Sequence, residues 1–235
     1  MRILLIGYGK MGKAIEAIAK QRGHQIAGRL DIDNRDAFDA TTPVDVAIEF
    51  THPDAAVGNL RWALQKGWPV VVGTTGWYDH LPEIKAEVAR ANGALLYASN
   101  FSLGVNLFFK LNEYLARLMD AHPTYDVVLD ETHHTQKKDA PSGTAITLAE
   151  GILKGTKRKT RWRLNEGQHA EDLVIHSHRV DPVPGTHVVT WASAIDQIEI
   201  KHTAHTREGF ALGAVLAAEW LRGKTGVFTM NDLLG

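Results

Sequence analysis

The chain has 235 residues, 44% of them hydrophobic, enough for one large or two modest domains with packed cores. Its 26 Lys and Arg against 27 Asp and Glu give a net charge of −1, which excludes the broad basic field of a nucleic-acid binder and an acidic solvating tail. With no cysteine it has no disulfide staple, thiolate nucleophile or Cys-ligated metal, and no apolar run approaches the roughly 20 residues that cross a bilayer.

In chain order, residues 2–6 (RILLI) form a continuous apolar run, as in a strand buried on both faces of a parallel sheet. A glycine turn follows, then a helix with Ala14, Ile15, Ile18 and Ala19 on one face and Gly23 as its C-terminal cap. A second strand, HQIAGRL, ends at Asp31. The alternation continues with a strand over 45–50, a helix over 53–66 with Thr51 as N-cap, and a strand over 69–72 ending in Gly73-Thr74-Thr75-Gly76. A helix over 80–92, a strand over 94–98 and a long helical stretch over 101–119 complete the first half. In that stretch Leu103, Leu107, Leu111, Leu115 and Leu118 fall near helical spacing.

After Pro123 the pattern changes. A strand over 125–131 leads into the loop HHTQKKDAPSG and a helix through Leu153. The segment 154–171 reads as a polar surface excursion. Strands near 172–180, 186–194 and 196–202 suit an antiparallel or mixed sheet, and an amphipathic helix over 210–222 closes the chain. The fold class is therefore α/β: an N-terminal Rossmann-type parallel-sheet domain over 1–100, to which 208–235 return, and an α+β domain with a mixed sheet over 101–207. The apolar start is too short for a signal peptide, so a soluble cytoplasmic protein is expected.

Gly7-Tyr8-Gly9-Lys10-Met11-Gly12 places three glycines where a dinucleotide fold needs a tight turn, close approach of the backbone to pyrophosphate, and close helix–strand packing. The helix start supplies free N–H groups and a favourable dipole. Asp31, about 20 residues on, is placed to accept from ribose hydroxyls. A nicotinamide cofactor, NADH and/or NADPH, is expected. Asp31 repels a 2′-phosphate, whereas Lys10 and Arg35 offer it a cation, so dual use stays open.

The densest polar segment runs from Asp130 to Ala145. Pro141-Ser142-Gly143-Thr144 presents backbone N–H groups and two hydroxyls at a helix start, a ready anion site, although Ser142 and Thr144 serve equally well as caps. His133 and His134 are adjacent on extended chain and point to opposite sides. A histidine donates a proton near neutral pH and a lysine holds a carboxylate, while Lys137 and Lys138 also read as one solvated charge run. Zinc is the other reading of the pairs His133/His134, His176/His178 and His202/His205. Without an H-E-x-x-H pattern, no required metal is expected.

The segment E-T-H-H-T-Q-K-K-D-A-P-S-G-T-A resembles the signature of the dihydrodipicolinate (4-hydroxy-tetrahydrodipicolinate) reductases of the diaminopimelate route to lysine. The likeness extends through the glycine turn, Glu49-Phe50-Thr51, Gly73-Thr74-Thr75-Gly76, Asn100-Phe101-Ser102 with Gly104-Val105-Asn106, and His202 to Arg207 with Phe210 and Gly213. The resemblance implies that His133 is the catalytic acid and Lys137 the second proton-transfer or substrate-holding residue. His134, Gly143 and Thr144 then bind substrate, with Ser142 beside them. Gly73, Thr74 and Thr75, with Ala98, Ser99, Asn100 and Phe101, line the nicotinamide side. It further implies a small cyclic dicarboxylate substrate and a homotetramer joined through the second domain's sheet, while the balanced charge and the lack of a spanning run leave no nucleic-acid or membrane partner expected.

The chain departs from the family pattern in a glycine loop one residue tighter and in Ile32, where many members carry arginine; both bear on cofactor preference. A dehydrogenase acting on another small acid, or a sensor of the NADH/NAD ratio, are the competing classes. A semialdehyde dehydrogenase lacks its nucleophilic cysteine here, and no basic recognition helix supports a nucleic-acid-linked sensor.

Overall fold

The computed structural model describes residues 1–31, 38–39, 41–206 and 208–235. The chain divides into two compact units, residues 1–103 with 208–235, and residues 104–207.

The first unit is built on six parallel strands in the order β11-β5-β4-β3-β1-β2. Central β1 (Arg2–Ile6) pairs with β2 (Gln25–Leu30) on one side and β3 (Val46–Glu49) on the other. Its side chains alternate between two cores. Ile3 and Leu5 pack with Ile15 and Ala19 of α1 (Lys10–Gln21) and with α6 (Glu208–Leu221). Leu4 and Ile6 pack with Leu60 and Leu64 of α2 (Pro53–Gln65) and with Ile84 and Val88 of α3 (Leu81–Arg90). The continuous apolar run is thus a strand covered on both faces. β4 (Val70–Val72) and β5 (Ala94–Tyr97) extend the sheet, and β11 (Gly226–Phe228) pairs with β5 as an edge the sequence pattern did not disclose.

Two local expectations are corrected. The N-cap of α2 is His52, with Pro53 beginning the helix, and the Thr51 hydroxyl turns back to the Glu49 carboxylate. The helix expected over 80–92 starts as a 3-10 turn at Tyr78–His80 and ends at Arg90.

The second unit is a mixed five-stranded sheet ordered β10-β9-β6-β8-β7. Central β6 (Asp126–His133) runs parallel to β8 (Asp172–Arg179) and antiparallel to β9 (Gly185–Ala192), with β7 (Arg161–Leu164) and β10 (Gln197–Ala204) at the edges. Val127 and Leu129 of β6 and Val189 and Trp191 of β9 form a core with α5 (Gly143–Gly155) and the Phe108, Ala116 and Met119 face of α4 (Leu103–Met119). The leucine stripe of α4 is split: Leu107, Leu111 and Leu118 are each half exposed, Leu115 packs on this core and Leu103 on that of the first unit. β6 also runs two residues beyond its expected end, so His133 is its last residue and the loop begins at His134. The segment 154–171 is less peripheral than its polarity suggests. It contains β7, and buried Lys159 donates to the carbonyls of Ala170 and Asp172 at 2.8 and 2.9 Å. Among the described residues no helix is long and apolar enough to cross a membrane. Closing the chain, α7 (Met230–Leu234) is capped by Thr229 and Asp232.

Candidate active site

In the first unit a cavity of about 840 Å3 opens at the carboxyl ends of β1 to β4, lined by Gly7, Tyr8, Gly9, Lys10, Met11, Asp31, Gly73, Thr74 and Thr75. Nine of the predicted cofactor residues therefore meet on one surface, where open α/β sheets receive ligands. Each glycine has its own reason to be there. Gly7 has φ +96°, and a Cβ on it would stand 2.0 Å from the Phe50 carbonyl oxygen. A Cβ on Gly12 would stand 2.2 Å from the Gly7 oxygen, so this glycine packs helix to strand and does not line the cavity. A Cβ on Gly9 meets nothing within 4 Å, which leaves the start of α1 bare. A tight first glycine, an open second one at a helix N-terminus and a packed third fit a dinucleotide pyrophosphate.

Sequence reasoning missed the groups that stiffen this cavity. Tyr8 donates to Glu16 at 2.6 Å, and Glu16 pairs with Arg29 at 2.5 Å; the Arg29 bonds hold the Glu16 carboxyl well below the usual carboxylate range. Beneath the wall, buried Glu49 bonds Thr51 and, at 3.2 Å, Asn59, while Thr74 Oγ1 accepts the Thr51 N–H at 2.7 Å. Burial pushes the Glu49 carboxyl up, against the hydrogen bonds from Thr51, Thr74 and Asn59. Thr51, His52, Pro53 and Asn59 also line the cavity. Ala98, Ser99, Asn100 and Phe101 are not part of its lining. Ser99 is exposed, Asn100 Oδ1 accepts the Ser102 N–H at 2.8 Å, and Phe101 is buried under Phe50 with ring centroids 5.7 Å apart. Ile32, Arg35 and Arg207 lie outside the described residues.

In the second unit the polar segment folds around the carboxyl end of β6. The alternation that buries Val127 and Leu129 carries Glu131 and His133 onto the same face. Glu131 is fully buried, and its carboxylate meets four elements. His133 Nδ1 lies 2.6 Å from Oε2, and His187 Nε2 of β9 lies 3.9 Å from it. Oε1 accepts from Arg179 Nη1 of β8 at 3.1 Å and from the Ser142 N–H at the start of α5 at 3.3 Å. Burial opposes the charge, but hydrogen bonds from His133, Ser177 and Ser142 outweigh it and hold the carboxyl well below its ordinary range. Burial, reinforced by the nearby His133, pushes His187 down to about 4.

The remaining predicted residues surround this centre. Ser142 is buried, and its hydroxyl is taken up as the N-cap of α5, accepting the Ala145 N–H at 3.1 Å and lying 3.0 Å from His187 Nε2. Gly143 is exposed and Thr144 half-buried in the first turn beyond it. Lys137 Nζ holds both oxygens of Asp139 at 2.9 Å. Arg179 Nη2 donates to the Asp139 carbonyl at 2.6 Å and Nε to the Lys137 carbonyl at 3.3 Å, tying the loop to β8. His134 is half-buried at the loop's start, and Thr135 beside it is fixed by Asp181. His176 and His178 lie tilted with centroids 6.4 Å apart, and His178 bonds Asp130. His202 stacks on Phe108. Glu131, His133 and His187 are the one group of metal-ligand types that converges among the described residues, within 4.8 Å. Of these ligand atoms His187 Nε2 is engaged by the Ser142 hydroxyl, and Arg179 holds the other carboxylate oxygen, Oε1, while Oε2 and His133 Nδ1 face each other.

The chain matches family models of dihydrodipicolinate reductase, N-terminus, over residues 1–101 and dihydrodipicolinate reductase, C-terminus, over residues 104–234. It is similar to the 4-hydroxy-tetrahydrodipicolinate reductase of Christiangramia forsetii, at 50% identity across 100% of this chain and 98% of that protein. It is also 39% identical to the reductase of that name from Methanoculleus marisnigri, across 85% of this chain and 79% of that one. In fold it resembles a dipicolinate-bound dihydrodipicolinate reductase from Paenisporosarcina sp. TG-14, with a TM-score of 0.80 at 21% identity over 97% of each chain.

Proposed function

The chain belongs to the dihydrodipicolinate reductase family, and from that premise we propose that it reduces 4-hydroxy-tetrahydrodipicolinate to tetrahydrodipicolinate in the diaminopimelate route to lysine. One observation carries the reading: the His-His-x-x-Lys segment sits at a strand end with His133 against a buried carboxylate and an anion-receiving helix start beside it.

The first unit is the dinucleotide domain. A reduced nicotinamide bound there supplies hydride. The bare helix start beyond Gly9 receives the pyrophosphate, and Asp31 on the cavity wall accepts from the ribose hydroxyls. Because that carboxylate repels a 2′-phosphate, NADH is the preferred form and NADPH the weaker one.

The second unit is the substrate domain. Its substrate is a cyclic dicarboxylate, and Lys137, His134 and the backbone N–H groups of Gly143 and Thr144 are its carboxylate holders. The Ser142 hydroxyl is committed to the cap, so Ser142 contributes by fixing the helix start and not by touching substrate. Hydride adds to the conjugated ring after the 4-hydroxyl has left as water, which leaves an electron-rich enamine. His133 donates the proton that completes the reduction. Dipicolinate is bound by the Paenisporosarcina reductase, and planar dicarboxylates of that kind are expected to inhibit this enzyme. The exposed edge strand β10, with Ile198 standing out, supports a homotetramer joined through this sheet. We place the enzyme in the cytoplasm, where reduced nicotinamide is available.

The test is oxidation of NADH and NADPH with the cyclic substrate generated in place from pyruvate and aspartate semialdehyde by a separate synthase. Oxidation that depends on the synthase is the expected result and ranks the two cofactors. Folded protein that binds NADH and turns over neither cofactor would instead be a sensor or act on another acid.

A further inference from the structure

Glu131 occupies an unusual place for a carboxylate. In the register of the sheet it lies opposite His187 on β9 and Ser177 on β8, and His133 stands one step further along the same face. The positions beneath are apolar: Leu129 lies between Val189 and Ile175. A lone buried carboxylate is strongly disfavoured, and one stays ionised in such a place only when several donors hold it. Here Arg179 and the Ser142 amide both bind Oε1, while Oε2 lies 2.6 Å from His133 Nδ1 and neither of these two buried atoms has a hydrogen-bond partner elsewhere among the described residues.

We infer that Glu131 is the positioning residue for His133: it binds the Nδ1–H, fixes ring and tautomer, and so reserves Nε2 as the atom that passes the proton. An imidazole with both nitrogens free exchanges tautomers and turns about χ2, and a carboxylate at one nitrogen removes both freedoms. The neighbours support the arrangement. His187 meets the His133 ring edge-on, with centroids 5.1 Å apart and planes at 75°, and its own Nε2 is engaged by Ser142. Gly185 of β9 makes room for the reacting edge, since a Cβ there would stand 3.1 Å from His133 Nε2. Arg179, which pins the Glu131 carboxylate, also binds the carbonyls of Lys137 and Asp139, so the carboxylate and the loop bearing Lys137 are set by one guanidinium.

The role rests on the reductase reading of His133, and two measurements separate the two. In wild-type protein with labelled histidine nitrogens, the neutral His133 ring is expected to carry its proton on Nδ1; the resonance is identified by its loss in His133→Gln. A proton on Nε2 would overturn the inference whatever the protein catalyses. In the coupled assay, Glu131→Gln is expected to lower kcat on the order of 10- to 1000-fold. Substrate KM and NADH affinity should change by less than about threefold, with partial recovery in Glu131→Asp, because a positioning group acts on the proton step and not on binding. A folded Glu131→Gln protein with wild-type kcat would overturn it. If Glu131→Gln does not fold, the wild-type nitrogen spectrum decides. Absence of turnover in the wild-type protein refutes the reductase reading, while the location of the His133 proton is still measured.

Discussion

Glu131 and His187 face each other directly across the β6–β9 pairing, a carboxylate and an imidazole at the level where the two preceding core pairs are Leu129 with Val189 and Val127 with Trp191. The apolar core of the second unit therefore ends in a polar layer built on the same strands. His133, the next residue on that face, stands on this layer and takes its geometry from it. Rigid strands place such groups more closely than a loop does, which suits the proton-donor role proposed for His133.

Replacing His133 with glutamine removes the proposed proton donor while nearly preserving shape. We expect kcat to fall on the order of 100- to 10,000-fold, with NADH affinity unchanged because the cofactor cavity belongs to the other unit. Stopped-flow turnover with NADH fluorescence titration measures both. Unchanged turnover would remove His133 from the chemistry.

Lys137 rests on Asp139, with both carboxylate oxygens at 2.9 Å, in a loop tied to β8 by Arg179. Asp139 is well exposed, so the pair itself is weak and an incoming substrate carboxylate can displace it. Lys137→Ala should raise substrate KM about 10- to 100-fold, the loss of one charged hydrogen bond, at unchanged thermal stability. A wild-type KM would make Lys137 a surface lysine.

Much of this was legible beforehand for physical reasons. The run RILLI and the glycines after it announce a doubly buried strand and a phosphate turn, because few other structures tolerate that pattern. β7, β11 and α7 were missed because they are short and their identity comes from pairing, as when Val227 lines up with Leu95, and not from their own periodicity. Glu131 was passed over as the acid before two histidines. The signal was present in the period-two alternation of Val127, Leu129, Glu131 and His133, and in that of Gly185, His187, Val189 and Trp191. Both place a titratable group in core phase, which calls for a partner. The α2 cap went to His52 because the Thr51 hydroxyl had a buried carboxylate to satisfy.

Asp31 stands on the wall of the cofactor cavity at the end of β2. In the cofactor complex proposed above, its carboxylate gains hydrogen bonds from ribose hydroxyls and repels a 2′-phosphate. Asp31→Ala should therefore lower kcat/KM with NADH and raise it with NADPH relative to NADH, shifting the ratio by about tenfold or more. Steady-state kinetics with both cofactors gives the ratio directly, and an unchanged ratio would undo the ribose assignment.

The buried His187 gives the second unit a pH dependence of known sign. Its ordinary value of 6.5 is lowered to about 4 by burial and by the neighbouring His133. Above the upper value neither folded nor unfolded chain binds a proton at this site. Between the two, the unfolded chain binds one and the folded chain does not, so stability falls as pH falls; below about 4 both are protonated and the loss is complete. The difference corresponds to about 3 kcal/mol at most. His202, lowered by burial and by His205, acts with the same sign. Carboxylates held low, such as Asp172 at about 2, add to the loss only as pH falls below their unfolded value near 3.8. Amide exchange in β6 and β9 should therefore report opening free energies that decline from about pH 6.5 toward 4.5, before the carboxylates titrate. A flat profile over that window would mean that His187 takes up its proton without disturbing the layer it shares with Glu131.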